Sequence, residues 1–171
     1  MIHIRPAQLS DALLLADLGR QTFIESHGHS ATAADIDKYV LEKYSAAVVQ
    51  QDLQDPAHHY HLLYHRNELA GYAKIIPSCT HPNIALREVT KLERLYLLRS
   101  AYGLGLGDAL LAYNIQLSKR LGQCGMWLFT WKEHLRAVAF YERSGFRIVG
   151  SHDFAISATH SNPNHQMLLL Y

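Results

Sequence analysis

Three glycines stand at alternate positions, Gly103, Gly105 and Gly107, where an apolar strand pattern gives way to a helical one. Glycine permits backbone angles that other residues resist, and it lets another group approach the main chain closely. Amides at the start of a helix point outward and carry a partial positive charge. The spacing therefore predicts a turn that can hold an anionic group such as a pyrophosphate. The alternative is a turn that needs glycine only for its backbone shape.

Two familiar nucleotide motifs do not match this turn. A dinucleotide fingerprint requires a glycine three residues after its second one, and Asp108 and Leu110 occupy the two possible places. A phosphate-binding loop requires Gly-Lys-Ser/Thr before its helix, which is absent here. The turn is thus favoured as an anion site made of free main-chain amides, without either nucleotide motif.

Capping residues and hydrophobic periodicity predict the elements that position the turn. Ser10, Thr32 and Ser45 are the expected caps of three helices, the last ended by Pro56. Helices are predicted over 11–23, 33–44, 46–55, 106–122 and 135–144, and strands over 3–7, 58–65, 68–77, 88–98, 125–131, 146–156 and 165–171. The polar segment 157–164 is expected to be a turn. This order predicts an α/β fold on a mixed sheet.

Two stretches of the sequence resemble the Gcn5-related N-acetyltransferases, and their order and spacing are those of that family. "LERLYLLRSAYGLGLGDALL" is similar to their Arg/Gln-x-x-Gly-x-Gly/Ala motif, with Gly105 and Gly107 as its glycines. "AVAFYERSGFRIVG" is similar to their Ala-x-x-Phe-Tyr-x-x-x-Gly-Phe motif, matched from Ala137 to Phe146. The clear match covers residues 90–150. More loosely, the ends resemble the bacterial spermidine/spermine (PaiA-like) branch.

The resemblance implies a mostly antiparallel mixed sheet flanked by helices, and acetyl-coenzyme A as acetyl donor. The main chain of Leu95, Tyr96 and Leu97 would align the acetyl and pantetheine groups as an added strand. The implied cofactor contacts elsewhere are Tyr102, Gly103, Leu104, Gly105, Leu106, Gly107, Asp108, His134, Ala137 and Tyr141. The chain departs from the family pattern at Tyr102, which is usually Arg or Gln, and at His134, which is usually Asn.

Acetyl transfer to an amine requires a base, because alkyl amines with pKa values near ~10 are mostly protonated at neutral pH. Glu93 is the candidate, since strand alternation predicts that it shares a face with Leu95 and Leu97. A pairing of Glu93 with Lys91 or Arg94 is the alternative.

The resemblance assigns Tyr141 as the acid that protonates the leaving thiolate; a core aromatic side chain is the alternative. Glu25 could attract a cationic substrate, although a solvated carboxylate at a helix end is the favoured interpretation.

His59, His61 and His65 alternate on one predicted strand, and a His-x-His pair can bind zinc. Zinc needs three or four ligands, and no cysteine or carboxylate lies close enough in the sequence to complete them, although Asp55 is not far. We therefore expect no metal site, and no serine-hydrolase motif is present.

Composition limits the classes of partner. The chain has 16 Lys and Arg against 15 Asp and Glu, which argues against nucleic acid. We expect a single cytoplasmic domain over 1–171, without a membrane segment; the pattern is compatible with a monomer and with a homodimer.

The predicted function is acetylation of a primary amine, with a polyamine favoured by the looser resemblance. Another amine, such as an amino acid, an aminoglycoside or a peptide amino terminus, is the first alternative. A non-catalytic module that senses coenzyme A is the second.

Overall fold

The computed structural model describes residues 1–171 as one seven-stranded sheet with five α-helices. In chain order the elements are β1 (Ile2–Pro6), α1 (Ala12–His27), α2 (Ala33–Lys43), α3 (Ala46–Gln54), β2 (His59–His65), β3 (Glu68–Ile76), β4 (Val89–Leu97), α4 (Leu106–Arg120), β5 (Gly125–Trp131), α5 (Leu135–Arg143), β6 (Arg147–Ala155) and β7 (Ser161–Leu170). The predicted order of strands and helices is confirmed.

The sheet runs in the order β1-β2-β3-β4-β5-β7-β6, and only the β4–β5 pair is parallel. Apolar side chains cover both of its faces. Leu15 and Leu18 of α1 pack with Leu62 and Tyr72 on one face. On the other face, α4 contributes to two clusters, one of them centred on Leu106 and Leu110. The mixed, mostly antiparallel sheet expected from the resemblance is thereby shown.

Local chemistry explains most of the element boundaries. The Thr32 hydroxyl accepts the Asp35 amide at 3.2 Å, and the Ser45 hydroxyl accepts the Val48 amide at 3.3 Å, so both predicted caps are confirmed. The Ser10 prediction is wrong. A capping box, in which the Gln8 amide donates to Asp11 at 2.7 Å, starts a short 3₁₀ turn that precedes α1.

The last strand begins earlier than its polar sequence suggests. β7 starts at Ser161 rather than at residue 165, because the Ile156 amide donates to the His160 carbonyl and closes a tighter turn. Asn162 and Asn164 are consequently buried in the strand, with exposed fractions of 3% and 7%. The turn predicted over 157–164 is therefore shortened, and two amide side chains enter the interior.

No helix of the structure combines the length and the apolar character needed to cross a bilayer.

Candidate active site

The strands β4 and β5 separate after a short parallel contact. Val89, Thr90 and Lys91 pair with residues 125–127, and beyond Lys91 the β5 side of β4 has no strand partner. A cavity of about 680 Å³ occupies the gap, and residues 91–97 of β4 line it. An unpaired strand edge inside a cavity can bind an extended ligand through main-chain hydrogen bonds.

The glycine turn lies at one end of this cavity. Gly103 and Gly105 have φ values of +79° and +70°, and a Cβ at either position would meet no other group within 4 Å. Backbone angle, not packing, therefore requires these two glycines, and they leave the main chain open. Gly105 begins α4 without a side-chain cap, so the first amides of this helix remain available.

Two arginines of α5 contribute positive charge at the same end. The Arg136 guanidinium stacks over the Tyr102 ring at 4.2 Å from its centroid, and Arg143 lies 3.7 Å from Asp108. All four side chains line the cavity, whereas Leu104 points elsewhere and is 53% exposed. The aromatic side chain at 102 thus brings an arginine from another element beside the glycine turn.

His134 caps α5 in the place where the resemblance expects asparagine. Its Nδ1 accepts the Ala137 amide at 3.1 Å, which requires an unprotonated nitrogen. Burial lowers the pKa of His134, and the neighbouring His29 lowers it further. His134 therefore caps α5 with a neutral imidazole.

Tyr141 lines the cavity and belongs to the core around Leu111 and Phe146. It is 8% exposed, and no residue of the chain hydrogen-bonds its hydroxyl. Burial raises the pKa of Tyr141 well above its ordinary value. The phenol accordingly keeps its proton throughout the neutral range.

Glu93 lines the cavity, but on a different face of the sheet from the predicted one. A β-bulge pairs Lys74 with Arg94 and Ile75 with Leu92, leaving Glu93 without a partner in the register. Leu95 packs against α4, whereas Glu93 faces Lys74 on the side of α3. The prediction that Glu93 shares a face with Leu95 and Leu97 is wrong, because the bulge breaks the alternation.

Lysine contacts dominate the electrostatics of Glu93. Its Oε2 lies 2.7 Å from Lys74 Nζ, and its Oε1 lies 3.8 Å from Lys91 Nζ. Burial alone would raise the pKa of Glu93, but the attraction of Lys74, followed by Lys91 and Arg94, outweighs burial and lowers it. Glu93 is thus an ionised carboxylate in an ion pair.

Glu25 lies outside the cavity lining. Its carboxylate accepts the Arg99 amide at 2.7 Å and the Gln21 side-chain amide at 3.1 Å. These contacts tie the end of α1 to the segment after β4, which explains Glu25 without a substrate.

The strand histidines are not brought together as ligands. His61 is buried, and its Nδ1 lies 2.8 Å from Asn114 Oδ1. No three His, Cys, Asp or Glu side chains of the chain converge in a way that could hold a metal ion.

Sequence reasoning missed the half of the cavity that lies on the α1 and α2 side of the sheet. Its lining is mainly aromatic, with a few polar side chains: Phe23, His27, Tyr39, Tyr44, Arg94, Trp131, Phe154, Asn162 and Asn164. Burial, with His134 and His29 nearby, lowers the pKa of His27 to about 3, so its imidazole is neutral. These residues come from separate elements, and no local motif marks them.

A family model now decides the class of the protein. The acetyltransferase (GNAT) family model matches residues 21–146, which contain the glycine turn, the separated strands and Tyr141. The chain belongs to this family. It is therefore an acyltransferase that uses acetyl-coenzyme A as its acetyl donor.

Individual relatives agree with this assignment. An uncharacterized N-acetyltransferase of Mycobacterium bovis is 29% identical over 154 residues, 90% of this chain and 94% of its own. PaiA N-acetyltransferase from Thermoplasma acidophilum, solved in complex with coenzyme A, has a TM-score of 0.79 at 18% identity and covers 100% of this chain and 99% of its own. The Escherichia coli ribosomal-protein-S18-alanine N-acetyltransferase has a TM-score of 0.72 at 16% identity, covering 99% and 94%. At these identities the two structures show a shared fold.

Proposed function

We propose that residues 1–171 form one catalytic domain that transfers the acetyl group of acetyl-coenzyme A to a small primary amine. The observation that supports this most strongly is the open edge of β4, which runs through the cavity between the glycine turn and Tyr141. The cavity then has two halves that meet at the gap between β4 and β5. We call them the donor half, beside the glycine turn, and the aromatic half, on the α1 and α2 side of the sheet.

The residues of the donor half fit acetyl-coenzyme A, which when bound supplies a thioester with a transferable acetyl group. The free amides from Gly103 to Asp108 suit a pyrophosphate, because the two positive-φ glycines leave space above them. The main chain of residues 95–97 would bind the extended pantetheine arm, and an amide near Leu97 would polarise the acetyl carbonyl. One such donor is worth ~3 kcal/mol of the activation barrier. Tyr102, His134 and Ala137 complete the lining of this half.

Two side chains would move the protons. Glu93, directly or through a water molecule, accepts the proton that the acceptor ammonium must lose before its nitrogen attacks. As the new C–N bond formed and the C–S bond broke, the nitrogen would lose its second proton to water, and Tyr141 Oη would give its proton to the departing sulfur and regain one from solvent. Because its pKa is lowered, Glu93 is a weak base. It is therefore better suited to pass the proton on to solvent through a water molecule than to keep it.

The charge at the aromatic half bears on the polyamine interpretation. Lys43, Lys91 and Arg94 line this half, against one carboxylate, Glu93. A polycation would meet an excess of like charge there, which opposes its binding. The likeness to the PaiA enzyme, being one of fold, does not offset this. An amine other than a polyamine is the better candidate.

A panel of amines tests the proposal. The protein is incubated with acetyl-coenzyme A and spermidine, phenylalanine, an aminoglycoside or a peptide with a free amino terminus. Free thiol and the mass of the amine are followed together. Amine-dependent thiol release with the gain of one acetyl group supports the proposal. Tight binding of coenzyme A with no acetylated amine would instead indicate a sensing module. Cytoplasmic location and dimer formation remain predictions from the sequence.

A further inference from the structure

Arg94 is a cation of the aromatic half that lacks a counter-ion. Its guanidinium lies 4.5 Å from the centroid of the Tyr44 ring, and Nη1 donates to Tyr60 Oη at 3.3 Å. No carboxylate lies within ion-pair distance of it. A guanidinium remains charged at all ordinary pH values and has several N–H donors, most of which are unused here.

The two nearest carboxylates already have another partner. Asp52 and Glu93 both contact the buried Lys74, at 2.6 Å and 2.7 Å. The two carboxylates face three cations, Lys74, Lys91 and Arg94, so one positive charge is left over. Arg94 is the cation of this group that has no direct contact with a carboxylate. Because a recessed charge without a partner is costly, an anionic group in the cavity would stabilise Arg94.

Asn164 is a second unsatisfied polar group on the same half. It is 7% exposed, its Oδ1 is fully covered, and no residue of the chain hydrogen-bonds that oxygen. Asn164 pairs with Trp131 across β5 and β7, and both line the cavity. Aromatic rings surround these polar groups, which is typical of a pocket that orients a small ligand through few polar contacts.

We propose that the acceptor is a primary amine that also carries a carboxylate, as amino acids do, and that Arg94 binds this carboxylate. This inference rests on the proposed acetyl transfer. A planar guanidinium pairs with a carboxylate through parallel N–H···O bonds, which fixes the orientation of the substrate. Glu93, the neighbour of Arg94 in the bulge, then faces the amine end. Asn164 offers a further polar contact.

Matched probes on the unmodified protein test the proposal first. Phenylalanine, phenylalaninamide and phenethylamine share one aromatic side chain, and only the first carries a carboxylate. We expect kcat/KM for phenylalanine to exceed that for both others by about 10- to 100-fold, the effect of one charged hydrogen-bonded contact. The amide has the less basic amine, so a preference for the acid cannot arise from amine ionisation. Equal rates, or a preference for phenethylamine or spermidine, would overturn the proposal and leave acetyl transfer standing.

Variants then locate the contact. Arg94→Gln should lower the ratio of kcat/KM for phenylalanine to kcat/KM for phenethylamine about 10- to 100-fold, while Arg94→Lys should retain part of the preference. Arg120→Gln, an exposed site on α4, is the matched control. Calorimetric titration of phenylalanine into protein saturated with coenzyme A gives a readout independent of turnover, and Arg94→Gln should weaken that binding alone.

The outcomes separate the two claims. If Arg94→Gln reduces both substrates equally, Arg94 only supports the tyrosines around it and the proposal is wrong. If Arg94→Gln does not fold, the comparison of probes on the unmodified protein decides. Absence of acetylation with every amine would refute the proposed function itself, and the carboxylate inference with it.

Discussion

Removal of one hydroxyl group, in Tyr141→Phe, tests the assigned proton donor. The variant keeps the ring that packs against Phe146 at 5.6 Å between centroids, so the core is preserved. Since the hydroxyl makes no hydrogen bond within the chain, we expect the free energy of unfolding to change by less than about 1 kcal/mol. General acid catalysis contributes ~10²- to 10⁴-fold, so kcat should fall by that factor, equivalent to about 3–5 kcal/mol in the barrier.

The assay is free-thiol release at saturating acetyl-coenzyme A, repeated across pH. Burial raises the pKa of Tyr141 above its ordinary value, so the unmodified enzyme should show no loss of rate from phenol ionisation up to about pH 9. Tyr113→Phe, on α4 and outside the cavity lining, is the matched control and should retain full activity. A Tyr141→Phe rate within about twofold of the unmodified enzyme at every pH would refute the assignment.

Three further predictions address the turn, the base and the pH dependence of folding. Gly105→Ala should lower the free energy of unfolding by about 1–2 kcal/mol, because φ is +70° at this residue. Gly107→Ala should stay folded, since its Cβ would lie 3.4 Å from the Phe140 ring, but it should bind coenzyme A more weakly in calorimetry. Equal unfolding midpoints of the two variants in urea would contradict this contrast. Glu93→Gln should lower kcat at least ~10²-fold at neutral pH and leave the Kd for coenzyme A unchanged; an unaltered kcat would limit Glu93 to its ion pair with lysine. Burial, partly offset by a hydrogen bond, lowers the pKa of His61 from 6.5 to about 4, so the unfolded chain binds a proton before the folded chain does. The free energy of unfolding should therefore decrease as the pH is lowered from 6.5 to about 4, by up to ~1.4 kcal/mol per pH unit. His61→Gln should reduce the slope of unfolding free energy against pH, and an unchanged slope would exclude His61 as its source.

Short-range signals account for what the sequence predicted correctly. Thr32 and Ser45 cap their helices through contacts three residues away. The two motif stretches, around Gly105 and Tyr141, likewise hold their information in consecutive residues. Such features depend little on the rest of the fold.

The errors arise where distant strands set the geometry. The bulge at Glu93 is a property of the register between β3 and β4, and no pattern within β4 reveals it. The polar segment around Asn164 predicts a turn, although pairing with Trp131 places this residue in a strand. The sequence indicates Arg94 only as a partner of Glu93, because the tyrosines that contact it come from other elements.

The most direct test of this account is a crystal structure with coenzyme A bound. We expect the pantetheine arm to lie along residues 95–97 of β4, the pyrophosphate to accept hydrogen bonds from amides between Gly103 and Asp108, and the sulfur to lie within hydrogen-bonding distance of Tyr141 Oη. A cofactor bound elsewhere, or a sulfur directed away from Tyr141, would contradict the proposed site.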